Sequence, residues 1–210
     1  MGARSSKASP RLNLPSSSKE PFDCVGCRRV RFPDGPAAQV FFPATEIEDA
    51  DRAAEEKSQY PYMRPEAFDG LVSWLRKPKF IMKSFGIHRW HTPCSPTATP
   101  IEGGSFPVIL FSHGLGGHSD VHAALSQLLA RKGYVVIVFE HECRAASYAR
   151  TDSGTVLTYD RPRDLTKAER KQGYELYLDI CQKFRSPFLE HREQESVSFS
   201  LCLLSWFILE

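Results

Sequence analysis

The chain alternates between short apolar runs and longer polar stretches, and its clearest pattern lies between Phe106 and Glu142. Val108-Ile109-Leu110-Phe111 is continuously apolar, as expected of a strand buried on both faces. Tyr134-Val135-Val136-Ile137-Val138-Phe139 repeats that pattern. Between them Val121, Ala124, Leu125, Leu128 and Leu129 recur at helical spacing and predict an amphipathic helix. Asp120 is placed to cap its N-terminus. Gly133 is placed to end it, because glycine takes the left-handed conformation without steric cost. Strand, helix and strand in so short a span predict a βαβ unit with parallel strands.

Upstream, Arg28–Phe32 and Gln39–Phe42 flank Pro33-Asp34-Gly35-Pro36, two β runs around a turn cluster that predict a hairpin. Thr45–Lys57 is acidic and alanine-containing and reads as a solvated loop or short helix. Tyr60-Pro61-Tyr62 is extended, since a residue before proline is held out of the helical region. Phe68, Leu71, Val72 and Leu75 predict an amphipathic helix over Glu66–Lys77, following Pro65. Thr92–Gly104, rich in Pro, Thr, Ser and Gly, reads as a loop. Arg144–Thr166 carries no pattern that assigns it, and no internal repeat is present.

Composition adds few constraints. The 210 residues suffice for one domain with a core, and 41% apolar with 25% charged residues is ordinary for a globular protein. A net charge of +2 points to no nucleic-acid partner. No apolar run reaches the ~18 residues of a membrane span. Cys24-Val25-Gly26-Cys27 is the only CxxC, and no second pair or matching histidines follow at metal spacing, so no metal site is expected. With no apolar secretory core at the start, Cys24, Cys27, Cys94, Cys143, Cys181 and Cys202 are expected to be mostly reduced thiols.

The first residues, Met1-Gly2-Ala3-Arg4-Ser5-Ser6, fit the pattern for N-myristoylation of Gly2. Arg4, Lys7 and Arg11 would supply the second, electrostatic signal that a single acyl chain needs at a membrane surface. The serine-rich, acid-poor composition also suits an organellar transit peptide, and Pro10, Pro15 and the serine run suit a disordered tail. The expected organisation is a tail over 1–21, a partial α/β domain over 22–195 and an apolar segment over 196–210. That last segment is too short to span a bilayer, and its alternatives are an abnormal gene-model or splice boundary, or a buried strand or terminal helix.

Candidate chemistry sits in Ser112-His113-Gly114-Leu115-Gly116-Gly117, between the first strand and the helix. Open α/β sheets bind ligands at the carboxyl ends of their strands. Glycines there let backbone N–H groups approach a substrate closely. Preset donors of that kind stabilise the negative oxygen formed when an ester is attacked.

Phe106-Pro107-Val108-Ile109-Leu110-Phe111-Ser112-His113-Gly114-Leu115-Gly116 resembles the equivalent segment of platelet-activating-factor acetylhydrolases. The resemblance continues through Leu129-Ala130-Arg131-Lys132-Gly133-Tyr134-Val135-Val136 into Glu140-His141, and covers roughly Phe22 to Glu193. Glu142-Cys143 departs from the family's Arg-Asp. Arg185–Arg192 resembles the start of the family's next helix. The resemblance implies an α/β-hydrolase fold and calcium-free, cofactor-free hydrolysis of the acetyl or short acyl ester at the middle carbon of glycerophospholipids. It also implies a first oxyanion N–H from Leu115, with His113, Gly114 and Gly116 shaping the turn. The intracellular branch of that family is N-myristoylated, which agrees with Gly2 and implies a cytoplasmic enzyme with a peripheral membrane contact.

The family's nucleophile is the Ser of a G-x-S-x-G elbow followed by Asp and His. No such elbow occurs in these residues: Gly117-His118-Ser119-Asp120-Val121 ends in Val and opens the wrong helix. The chain is therefore expected to stop before the elbow strand, to contain no activated serine and to be inactive alone. By the same resemblance the elbow strand pairs beside Val108–Phe111, so that edge is expected to be bare and the chain poorly soluble or partly folded. Two other readings stay open, a non-catalytic membrane-associated fragment and another α/β-hydrolase esterase such as a dienelactone-hydrolase relative. His113 is expected to order its loop, and His118 and His122 to lie on the surface, with no metal-ligand spacing among them and His141.

Overall fold

The computed structural model describes residues 21–32, 35–45, 60–161, 166, 167, 169 and 174–208. The predicted hairpin forms from β1 (Val25–Arg31) and β2 (Ala37–Pro43), antiparallel with Cys27 opposite Phe41. The βαβ unit forms from β3 (Val108–Phe111), a short 3-10 turn over Ser119–His122, the helix Ala123–Arg131 and β4 (Val135–Glu140). Strands β3 and β4 are parallel, with Ile109 opposite Val136, and β2 runs antiparallel to β4. The sheet order is β1-β2-β4-β3.

Strand β4 lies in the interior of this sheet. Val136 and Val138 pack on one face with Phe41, Val25 and the helix residues Ala123 and Ala130. Ile137 and Phe139 pack on the other with Ala38. Burying each such large aliphatic or aromatic side chain stabilises by about 1.5–3 kcal/mol. Strand β3 corrects the expectation of two covered faces. Val108 is 44% and Leu110 40% exposed, because β3 ends the sheet and nothing among the described residues covers that side.

In chain order the helices are α1 (Pro65–Leu75), α2 (Lys79–Ser84), α3 (Ala123–Arg131) and α4 (Tyr174–Ile208). Helix α1 buries Ala67, Phe68 and Val72 against Met63, Met82 and Tyr148. It ends two residues before Lys77. Arg76 turns left-handed, and Lys77, which precedes Pro78, is held out of the helical region. Helix α3 buries Ala123, Ser126, Gln127 and Ala130, whereas Leu125 is 46% exposed. Its fully buried positions are thus small or polar, with Leu129 packed beside them against the core, while Leu125 is exposed. Gly133 ends α3 with φ +92°, as expected.

Arg144–Thr166 contains a small hairpin of β5 (Ala149–Arg150) and β6 (Val156–Leu157). Arg161 anchors its end to the carbonyl of Ser73 at 2.7 Å. Helix α4 runs through residue 196 without a break in its backbone. The pair Cys24 and Cys27 does not face itself: the Cys27 thiol meets that of Cys94 in the core. Thr45 is described, while residues 46–57 of the expected acidic loop, Pro33 and Asp34 of the turn, and the N-terminal tail with Gly2 lie outside the described residues.

Candidate active site

The glycine-rich loop leaves β3 at its carboxyl end, where open α/β sheets bind ligands. Gly117 N–H donates to the Gly114 carbonyl at 3.0 Å, closing a four-residue turn. Gly116 occupies its third position with φ +72°, which makes this a type II turn. A Cβ at Gly116 would run into the Trp74 indole, so sterics and backbone both require glycine here.

The turn is held from outside. Gly116 N–H donates to Ala145 O at 2.8 Å, and Ser147 N–H donates to Gly117 O at 3.1 Å. The segment that the sequence left unassigned is therefore the wall against which the loop rests. With Gly116 and Gly117 committed, the amides of Gly114 and Leu115 make no hydrogen bond among the described residues. Leu115 sits at the second position of the turn, half-buried, with an N–H available to an incoming acceptor.

His113 is buried, and its Nδ1 lies 2.9 Å from the Gly114 carbonyl. Its own carbonyl accepts from Arg192 Nη1 at 2.7 Å, which ties α4 to the loop. Burial, more than the neighbouring His141 and Arg192, holds its pKa well below the ordinary histidine value. A neutral ring here accepts or donates hydrogen bonds without carrying charge.

Beneath the loop lies an ionic cluster that the sequence did not reveal. Asp120 accepts from Arg29 at 2.6 Å and from Arg64 Nε at 2.9 Å. Glu140 pairs with Arg29 at 2.9 Å and with Arg64 at 2.5 Å, and Ser119 Oγ donates to it at 3.0 Å. The cluster clamps β1, the start of α1, the 3-10 turn and the end of β4. Leaving one such buried charge uncompensated costs about 3–5 kcal/mol. Burial alone would raise the Asp120 pKa; Arg29 and Arg64 outweigh it and hold the carboxyl well below the usual range.

Two expectations fail at this point. Asp120 does not cap α3, because both its oxygens are taken by arginines distant in sequence. His118 is not a surface residue but fully buried, and burial foremost lowers its pKa to about 4. His122 is half-buried and packs against Phe111, with ring centroids 4.5 Å apart and the planes tilted by 43°.

A second feature was also missed. Ser112 Oγ lies 2.7 Å from His141 Nε2, and His141 Nδ1 lies 2.5 Å from Glu195 Oε2. A carboxylate only accepts, so Nδ1 carries a proton, and in the tautomer with a bare Nε2 that nitrogen accepts from the serine hydroxyl. Glu195 Oε1 is fixed in turn by the Glu142 N–H at 3.1 Å. The sequence points to no serine with a histidine partner, and Ser112 and His141 share a hydrogen bond. The partners are 29 and 54 residues apart, so no local motif announces them. Among the described residues no group of three or more His, Cys, Asp or Glu side chains is arranged to hold a metal ion.

Comparison with known proteins agrees with the resemblance read from the loop. The chain is 29% identical over 128 residues to a platelet-activating factor acetylhydrolase of Canis lupus familiaris, covering 59% of this chain and 27% of that one. A Cavia porcellus relative of the same name is 28% identical over 148 residues, covering 63% and 33%. The chain thus spans about a third or less of the curated relatives it matches. Among solved structures, a ferulic acid esterase from Streptomyces cinnamoneus superposes with TM-score 0.52 at 15% identity, over 81% of this chain and 48% of that one. With the sheet order above, that likeness makes the fold α/β-hydrolase-type. The family model described as platelet-activating factor acetylhydrolase, isoform II, matches residues 9–199, and the chain belongs to that family.

Proposed function

We propose that this chain contributes the oxyanion half of a serine esterase that hydrolyses the acetyl or short acyl ester of platelet-activating-factor-like phospholipids. The observation that carries the reading is the uncommitted Leu115 N–H on a braced turn at the carboxyl end of β3. Attack on the ester carbonyl makes a tetrahedral oxyanion. The Leu115 amide and the amide after an elbow serine receive it, while a histidine takes the serine proton and an aspartate orients that histidine. His113 and Gly114 set the turn, and Gly116 lets it close without a side chain. The reading requires an elbow serine with its histidine and aspartate, a G-x-S-x-G motif that these 210 residues do not contain, and without it the 210-residue chain is expected not to turn over the phospholipid. The same reading places the enzyme at the cytoplasmic surface of a membrane, with Gly2 acylated and the basic residues behind it facing lipid headgroups.

The test uses a gene product that extends through a G-x-S-x-G elbow. It should hydrolyse a 2-acetyl phospholipid without calcium. Leu115→Pro deletes the one amide in question, and the second position of a type II turn accepts proline. The variant should fold normally, keep its KM and lose about 10²–10³-fold in kcat. No hydrolysis by the extended product, or an unchanged kcat in a folded Leu115→Pro variant, contradicts the proposal.

A further inference from the structure

The hydrogen-bonded chain Ser112, His141, Glu195 has no part in the elbow chemistry above, and it is complete within these residues. Ser112 is exposed at the end of β3 and open to a reagent. His141 is fully buried and held on both sides, by Ser112 at Nε2 and by Glu195 at Nδ1. Glu195 is itself anchored by the Glu142 N–H and lies 3.2 Å from His191. A nucleophile within hydrogen-bond reach of a base, with the base oriented by a third group, is the arrangement that activates serine. The uncommitted amides of Gly114 and Leu115 follow two and three residues later on the same loop.

We propose that Ser112 is a second, His141-activated nucleophile, a covalent site for activated esters and organophosphorus electrophiles. With a fluorophosphonate, the Ser112 oxygen bonds to phosphorus as its proton passes to His141 Nε2. The P–F bond breaks and fluoride leaves. Glu195 stabilises the imidazolium so formed, and the product is a phosphonylated serine. No oxidant, metal or further reactant is needed. The Leu115 amide serves both readings, but they fail separately: this site is tested on the 210-residue chain, whereas phospholipid turnover is tested on the extended product.

The experiment treats the purified chain with a biotinylated fluorophosphonate and maps the adduct by peptide mass spectrometry. The expected result is one labelled peptide carrying the mark on Ser112 in the folded chain and none after heat denaturation. Ser112→Ala, a mild change at an exposed site, should remove the label with the circular dichroism spectrum unchanged. In Glu195→Gln the Glu142 N–H holds the amide oxygen, so the NH2 faces Nδ1 and favours the tautomer in which Nε2 carries the proton, not the one Ser112 needs. Labelling should slow at least tenfold, on the pattern of acid-to-amide changes in hydrolase triads. If Glu195→Gln unfolds, the Ser112→Ala comparison and the adduct map decide. The proposal is overturned by no adduct at Ser112 under conditions that label a serine esterase in the same tube. Label on other serines only, equal label in denatured protein, or an unchanged rate in folded Glu195→Gln overturns it as well.

Discussion

Single residues in this chain carry roles that their local sequence hides, and His118 is the sharpest case. It sits fully buried beside the Arg29–Asp120–Arg64 cluster, and neither ring nitrogen has a hydrogen-bond partner among the described residues. Its folded pKa is lowered to about 4, while an unfolded histidine titrates near 6.5. Between those values the unfolded chain binds the proton and the folded chain does not. Stability is therefore fully present above about pH 6.5 and lost as pH falls toward 4, by up to about 3 kcal/mol. His113 is shifted in the same direction by burial and adds to the slope. Asp120 works lower on the scale: its depressed carboxyl pKa gives stability present above about pH 4 and lost on further acidification. Denaturant midpoints measured from pH 7 to pH 4 should fall steadily. In His118→Leu, which replaces an unpaired ring by an apolar side chain, the fall should be visibly shallower. Equal slopes in the two proteins would remove His118 from the account.

At the scale of elements, β3 and β4 illustrate what the sequence can and cannot tell. Both are unbroken apolar runs, and periodicity makes them equivalent. Their difference is topological: β4 lies between β2 and β3, whereas β3 ends the sheet with Val108 and Leu110 exposed. An exposed apolar edge is a template for pairing with another chain. The isolated 210-residue chain should therefore associate in a concentration-dependent way. Leu110→Lys, which sets a charge on that strand, should shift it toward monomer in sedimentation or size-exclusion measurements. A wild-type chain that stays monomeric at high concentration with a sharp cooperative melt would contradict this. The hairpin, α1, α3 and the βαβ unit were legible because each is set by local spacing and by Pro and Gly. What escaped was set over distance. Asp120 reads as a helix cap, yet Arg29 and Arg64 claim it from 91 and 56 residues away. The glycine-rich loop was legible as a tight turn at the end of a strand, but its brace at Ala145 and Ser147 and the Ser112–His141–Glu195 chain arise only when β3, β4 and α4 converge.

For the whole molecule, the distribution of charge matters more than its sum. The first 20 residues hold Arg4, Lys7, Arg11 and Lys19 against Glu20 alone. From totals of 27 basic and 25 acidic residues, 23 basic and 24 acidic remain for residues 21–210, so that remainder is close to neutral and the first 20 residues are the basic segment. One myristoyl chain gives only marginal membrane binding, with K of about 10⁴ M⁻¹. Each Lys or Arg near an anionic surface adds about 1 kcal/mol, so a net three charges multiply binding on the order of 100-fold. Neither signal suffices alone, which makes the proposed anchor sensitive to both lipid and salt. Chain co-expressed with an N-myristoyltransferase should float with phosphatidylserine-containing vesicles at low ionic strength. It should float much less with neutral vesicles, or at ~1 M salt, where the screening length falls to about 3 Å. Gly2→Ala should release it under every condition. Unchanged flotation of Gly2→Ala would exclude the acyl anchor. Import of the tail into organelles with cleavage would instead assign those basic residues to targeting.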